Sequence, residues 1–188
     1  MSHDNKIELF KTETIKFNKK HNLISKKNIY KILEEAVEEA AALTKHLKTY
    51  NNILDIGTGS GLPGIPIAIG NKHKNIYLAE KNSKKIYHLK KIIRTLKIEN
   101  ATLVGPANKN TKIENKIDCV VTKAFASTKK TINIANSFLE KPFTLMLLKG
   151  KLETVNKEVA EANIKKENYE IIKILNKKEK HILKIRNE

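Results

Sequence analysis

Apolar residues recur through the first fifty positions at steps of three and four. Ile7, Phe10, Ile15 and Phe17 form a loose stripe that breaks at Lys19-Lys20-His21-Asn22. A second run, Ile29, Ile32, Leu33, Val37, Ala40, Leu43 and Leu47, follows Ser25, whose hydroxyl suits an N-cap. Two helices are predicted there. From Asn52 the spacing changes to short apolar blocks bounded by turn residues, which predicts strands at 52–56, 75–80, 101–105, 117–122 and 143–149. Helical spacing separates most of them: Ile86, Leu89, Ile93 and Leu96 share a face over 83–97, and a further helix covers 128–140. Strand–helix alternation of this kind predicts an α/β fold whose mostly parallel sheet is covered on both faces. The end departs from that rhythm. A helix over 151–163 precedes Tyr169–Leu175 and His181–Arg186, two strands around Asn176-Lys177-Lys178, and this hairpin adds one antiparallel strand. The change of pattern divides the chain into an N-terminal helical extension, residues 1–51, and an α/β domain, residues 52–188.

Composition adds a charge argument. The 188 residues carry 37 basic and 20 acidic side chains, a net +17, and +11 of it falls within residues 52–150. That asymmetry points to a polyanionic partner such as nucleic acid. Only Arg94 and Arg186 are arginines, so a lysine-rich codon bias also contributes. The one cysteine, Cys119, excludes an internal disulfide, and the six histidines lack the spacing of a zinc site. No apolar run is long enough for a membrane span and the polar start has no signal-peptide core, so a cytoplasmic protein is expected; a monomer is expected as well.

The sharpest chemistry lies in Asn52-Ile53-Leu54-Asp55-Ile56-Gly57-Thr58-Gly59-Ser60-Gly61-Leu62-Pro63-Gly64. A buried strand enters a turn whose Gly57, Gly59 and Gly61 permit positive φ and close ligand approach, and Pro63 opens a helix where its missing N–H is no loss. Gly59–Gly64 formally matches the G-x-G-x-x-G dinucleotide fingerprint. The match begins three residues beyond the strand, however, and Asp55 at the strand end would oppose a pyrophosphate. A carboxylate there suits a cationic ligand such as S-adenosylmethionine. Glu80, nineteen residues beyond Gly61 at the end of the second strand, is placed to accept hydrogen bonds from two ribose hydroxyls. No G-x-x-x-x-G-K-S/T segment is present, which excludes a P-loop nucleotide hydrolase.

With these residues in place, the chain resembles the small-subunit ribosomal RNA guanine-N7 methyltransferases, also called glucose-inhibited division protein B. Lys16–Ser25 is similar to the family's lysine–tryptophan–asparagine segment that ends in asparagine–leucine–threonine. Asp55–Ile65 resembles its D-x-G-T/S-G-x-G-x-P-G-I/L loop, Thr122–Ser127 its S/T-R-A-F/V-A segment and Leu148–Lys151 its L-K-G. The resemblance implies the S-adenosylmethionine-dependent methyltransferase fold, which carries such a final hairpin, and 16S ribosomal RNA or the small subunit as substrate. It further implies cofactor contacts from Gly57, Leu62, Glu80, Ala107, Asn108 and Lys123, beside Asp55, Gly59 and Gly61 from the loop. The chain departs from the pattern at Gly105-Pro106-Ala107-Asn108, where the family has G-R-A-E, and at Tyr30, Lys31 and Glu34, where it has an arginine–histidine pair and an aspartate.

The expected reaction is transfer of a methyl group to guanine N7. This atom already bears a free lone pair, so positioning rather than a general base carries the rate. Lys123 is expected just past the fourth strand in a positional role, and Cys119 is expected as buried filler. Lys84, Lys85, His88, Lys90, Lys91, Arg94 and Lys97 crowd the polar side of helix 83–97. Lys84, Lys85, Lys90, Lys91 and Arg94, together with Lys149, are the candidate RNA contacts. Phe125 is the candidate for stacking. Two alternatives stand: an RNA-binding protein that keeps a catalytically weakened methyltransferase fold, and an NAD-dependent oxidoreductase using the overlapping fingerprint.

Overall fold

The computed structural model describes residues 1–21 and 28–188, so the cap expected at Ser25 lies outside the described residues. Two helices lead, α1 (His3–His21) and α2 (Ile29–Thr44). There follow β1 (Asn52–Ile56), α3 (Gly64–Gly70), β2 (Asn75–Ala79), α4 (Ser83–Thr95), β3 (Ala101–Gly105), β4 (Cys119–Lys123), α5 (Thr128–Asn136), β5 (Phe143–Lys149) and α6 (Leu152–Glu161). The chain ends in β6 (Tyr169–Lys173) and β7 (His181–Asn187). The strands form one sheet in the order β3-β2-β1-β4-β5-β7-β6. β1 to β5 pair in parallel, while β7 runs antiparallel to both of its neighbours. The expected α/β sheet with one reversed strand is what the chain builds.

Side-chain alternation sends successive strand residues to opposite faces. Ile53, Ile76, Leu78, Val121 and Met146 pack on one face with Phe10 of α1, Leu43 of α2 and Leu89 of α4. Leu54, Ile56, Val120, Leu145 and Leu147 pack on the other with Ala135 of α5 and Val155 and Val159 of α6. The N-terminal helices therefore share one core with the sheet, through Ile7, Phe10 and Leu43, joined by Leu47 just past α2. Boundaries shift in places. β4 starts at Cys119 rather than 117 and includes Lys123, so that lysine obeys the strand's alternation. β6 stops at Lys173, before the expected Leu175: Ile174 N–H makes a last cross-strand bond to the Lys180 carbonyl, and the turn begins beyond it.

The chain runs outward from β1 to β3, then returns to β4 on the other side of β1. In open α/β sheets such a reversal leaves a crevice at the carboxyl ends of the strands, where ligands bind.

Candidate functional site

The turn after β1 lies in that crevice. Gly57, Gly59 and Gly61 have φ of 73°, 61° and 100°, conformations that side chains with a Cβ adopt at a cost. Gly57 and Thr58 both donate their N–H to the Ala79 carbonyl at the end of β2, at 3.0 and 3.1 Å. Glu80 Oε2 accepts from Gly59 N–H at 3.0 Å, and Oε1 accepts from the N–H groups of Lys81 and Asn82 at 2.8 and 2.9 Å. A carboxylate offers about four lone-pair directions, so Glu80 keeps roughly one for a ligand hydroxyl, not the two expected.

Asp55 departs from the place its sequence position implied. It shares the face of Ile53, so its side chain turns beneath α3 instead of leaving the strand end toward a ligand. It is fully buried, and Oδ2 accepts from Gly64 N–H at 2.8 Å. Burial pushes its carboxyl up to about 7; the Gly64 N–H favours the charged form and nearby Glu80 opposes it. Oδ1 and the Thr58 hydroxyl are buried with no hydrogen-bond partner among the described residues. Asp55 braces the loop from below. A pyrophosphate is still disfavoured, though for a different reason: Asp55 already occupies the Gly64 N–H at the start of α3 that a phosphate would need.

A cavity of about 540 Å³ opens between the ends of β1, β2 and β4. Of the predicted cofactor residues, Gly57, Glu80, Ala107 and Asn108 line it. Gly59 forms the loop beside it. Asp55, Gly61, Leu62 and Lys123 do not line it: Gly61 is buried with an added Cβ only 2.6 Å from Ile65 Cγ1, and Leu62 packs against the core. Lys85, expected on the RNA face, lines this cavity instead, with Nζ 3.9 Å from where a Cβ on Gly59 would sit. Lys81, Phe125, Lys130 and Ile134 also line it; sequence spacing marked none of them for this place. The Phe125 ring covers Gly57 so closely that an added Cβ would lie 2.2 Å from Cδ2.

A second cavity, of about 240 Å³, shares the Ala124-Phe125-Ala126 wall with the first. Lys123 and Lys149 line this one. Lys123 lies on the face of Val121, toward α2, and pairs with the buried Glu39 at 3.2 Å. Lys149 lies on the face of Leu147, toward α6, and donates to Glu158 Oε2 at 2.6 Å and to the Ala126 carbonyl at 3.4 Å.

On α4, Lys84, Lys90 and Arg94 are exposed, whereas Lys91 pairs with Glu13 of α1 at 2.8 Å. His88 does not belong to the polar side: it is buried against α1, with Nε2 3.2 Å from Thr14 Oγ1. Cys119 is fully buried, and burial pushes its thiol up. Among the described residues no helix is long and apolar enough to cross a membrane.

A sheet of this order with reversed β7, a glycine turn after its central strand and an acid after the next define the S-adenosylmethionine-dependent methyltransferase class of fold. Solved structures of the class are similar. A precorrin-6y C5,15-methyltransferase from Geobacter metallireducens GS-15 matches at TM-score 0.58 and 16% identity, over 89% of this chain and 93% of that one. A ribosomal protein L11 methylase from Lactobacillus delbrueckii subsp. bulgaricus matches at 0.60 and 15%, over 82% and 79%. Sequence narrows the class. Residues 3–183 match the family described as rRNA small subunit methyltransferase G, and the chain belongs to that family. Relatives carrying the name ribosomal RNA small subunit methyltransferase G include one from Brachyspira hyodysenteriae, 33% identical over 172 residues (90% of this chain, 83% of the relative). Another, from Photobacterium profundum, is 33% identical over 146 residues (78% and 69%).

Proposed function

We propose that this chain transfers a methyl group from S-adenosylmethionine to N7 of a guanine in 16S ribosomal RNA, free or in the small subunit, acting as a monomer in the cytoplasm. The observation that carries the reading is the glycine turn held by Glu80 at the mouth of the 540 Å³ cavity, in a chain of this family. The residues present fit the cofactor. Glu80 has acceptor capacity for a ribose hydroxyl, Lys85 offers an ammonium to the ligand's carboxylate, and Gly57, bare of a Cβ, lets the Phe125 ring pack against the loop at the cavity wall. S-adenosylmethionine supplies, when bound, a methyl group on a cationic sulfur that keeps the electron pair as N7 takes the carbon.

The protein's own part is positional. Phe125 and its neighbours form the wall between the two cavities and fix the direction from which a base can approach. The two lysines beside that wall are held as ion-paired ammoniums: Lys123 with Glu39 and Lys149 with Glu158. Asp55, whose pKa of about 7 would suit a base, is sealed beneath the loop. N7 needs none of them to lose a proton.

Isotope-labelled methyl transfer to 16S RNA and to small subunits tests the reading, with Gly57→Ala as control. The added Cβ collides with Phe125 and strains a φ of 73°. Titration of the variant with S-adenosylhomocysteine should show at least a ~10-fold weaker affinity, roughly 1.4 kcal/mol, with the circular dichroism spectrum unchanged. Wild-type protein that binds NAD and not S-adenosylhomocysteine would establish the oxidoreductase; RNA binding without transfer would establish the non-catalytic fold.

A further inference from the structure

The second cavity has the chemistry of a guanine reader. It lies against the cofactor cavity across Ala124-Phe125-Ala126 and is walled on its far side by α6. Thr154 and Glu158, four residues apart on α6 and therefore on one face, both line it. Glu158 is held in place by one oxygen. Oε2 accepts from Thr128 N–H at 3.0 Å, from the Thr128 hydroxyl at 2.6 Å and from Lys149 Nζ at 2.6 Å. Oε1 accepts no hydrogen bond among the described residues. Burial works to raise the carboxyl's pKa, yet Lys149 and Thr128 hold it below the usual range, so the group is ionised and acceptor-only at neutral pH. A fixed carboxylate with one open oxygen, next to an ammonium, thus faces the space beside the cofactor cavity.

Resting on the guanine-N7 reading above, we propose that this cavity receives the target base flipped from its stack and that Glu158 selects guanine. Enzymes that modify a base commonly extrude it and read its Watson–Crick edge. Guanine offers donors at N1 and the 2-amino group beside an acceptor at O6. Glu158 Oε1 accepts from the donor edge and the Lys149 ammonium supplies the donor that O6 requires. Adenine presents a lone pair at N1 and an amine in place of O6, so it would set lone pair against carboxylate and amine against ammonium. The N7 side of the purine lies opposite its 2-amino side. A base seated with its donors at α6 therefore turns N7 toward the shared wall and the cofactor. Phe125, 37% exposed and common to both cavities, offers the ring face on which the purine stacks. The product base carries a positive charge, which the Glu158 carboxylate also favours.

The test replaces the target guanosine by inosine, which lacks only the 2-amino donor, and compares kcat/KM on the two RNAs. A hydrogen bond to a charged acceptor is worth about 10- to 100-fold, so wild type should prefer guanosine by that ratio. Glu158→Gln, which keeps an acceptor for Thr128 and places an amide toward the base, should bring the ratio close to one while S-adenosylhomocysteine affinity stays within about twofold of wild type. Thr154→Trp, at an exposed rim position outside the cofactor cavity, provides a second variant. It should abolish transfer by filling the pocket, again with cofactor affinity retained. A guanosine-to-inosine ratio that is the same in wild type and Glu158→Gln, or undiminished transfer by Thr154→Trp, overturns the assignment and leaves the methyltransferase reading standing. Wild type that binds cofactor and RNA yet methylates neither substrate overturns that reading and this one together.

Discussion

His88 is 1% exposed, and its ring centroid lies 4.7 Å from that of Phe17. Burial pushes its pKa down to about 4; nearby Lys91 adds to the shift and Glu13 opposes it. The folded protein therefore holds this ring neutral while the unfolded chain protonates it near 6.5. The resulting stability is fully present above about pH 6.5, is lost as pH falls from there toward 4, and changes no further below. The slope from this one group is at most ~1.4 kcal/mol per pH unit. Urea unfolding at pH 7.5, 6 and 5 should show wild type losing stability across that window and His88→Gln losing less. Equal losses in the two proteins would assign the acid sensitivity to other groups. The sequence put His88 among the lysines of α4 because apolar spacing alone does not mark a polar residue that packs against another helix. Its neighbour in space, Thr14, is 74 residues away in the chain.

α2 fastens two other elements through adjacent acids. Glu39, with its side chain 3% exposed, forms ion pairs with Lys123 at the end of β4 at 3.2 Å and with Lys180 in the β6–β7 turn at 2.8 Å, while Glu38 pairs with Lys177 of the same turn. Removing one partner of a buried pair is costly because the other charge is left without compensation. Lys123 and Lys180 keep partial solvent contact, so the loss is reduced: Glu39→Gln should destabilise the protein by about 1–3 kcal/mol. In a double-mutant cycle, Glu39→Gln with Lys123→Met should cost less than the sum of the single changes. Strict additivity of the urea-derived values would show that the two groups do not interact. The helical pattern of α2 was legible from its spacing. That two of its acids face a strand end and a hairpin was not, since a charged residue at a helix position is ordinarily exposed and only the docking angle of α2 buries this one.

Over the whole molecule the +17 charge has to be sorted by what it touches. Lys91, Lys123, Lys149, Lys177 and Lys180 are engaged by internal carboxylates, whereas Lys84, Lys90 and Arg94 stand exposed along α4. RNA affinity should fall linearly with the logarithm of salt concentration as condensed counterions are released. The triple variant Lys84→Glu, Lys90→Glu, Arg94→Glu should bind more weakly at about 0.1 M salt, with a slope shallower by roughly one for each phosphate no longer neutralised. Fluorescence anisotropy of a 16S fragment across a potassium chloride series reads both quantities. The same slope in variant and wild type would assign this face of α4 to solvent.

The elements, their order and the class of the sheet were already written in the chain. Period and turn chemistry are local properties: the glycine turn, the Glu80 that follows the next strand and the closing hairpin could all be read from neighbours along the sequence. Where the charged groups at the strand ends go was settled by packing alone. One residue of strand parity sends Asp55 beneath α3 rather than to a ligand, Lys123 to Glu39 and Lys149 to Glu158. Packing also brings Lys85 to the larger cavity and makes Phe125 a wall of both cavities. The physical reason is that a buried charge is placed by its partner, and each of these partners comes from an element whose position only the packed sheet fixes.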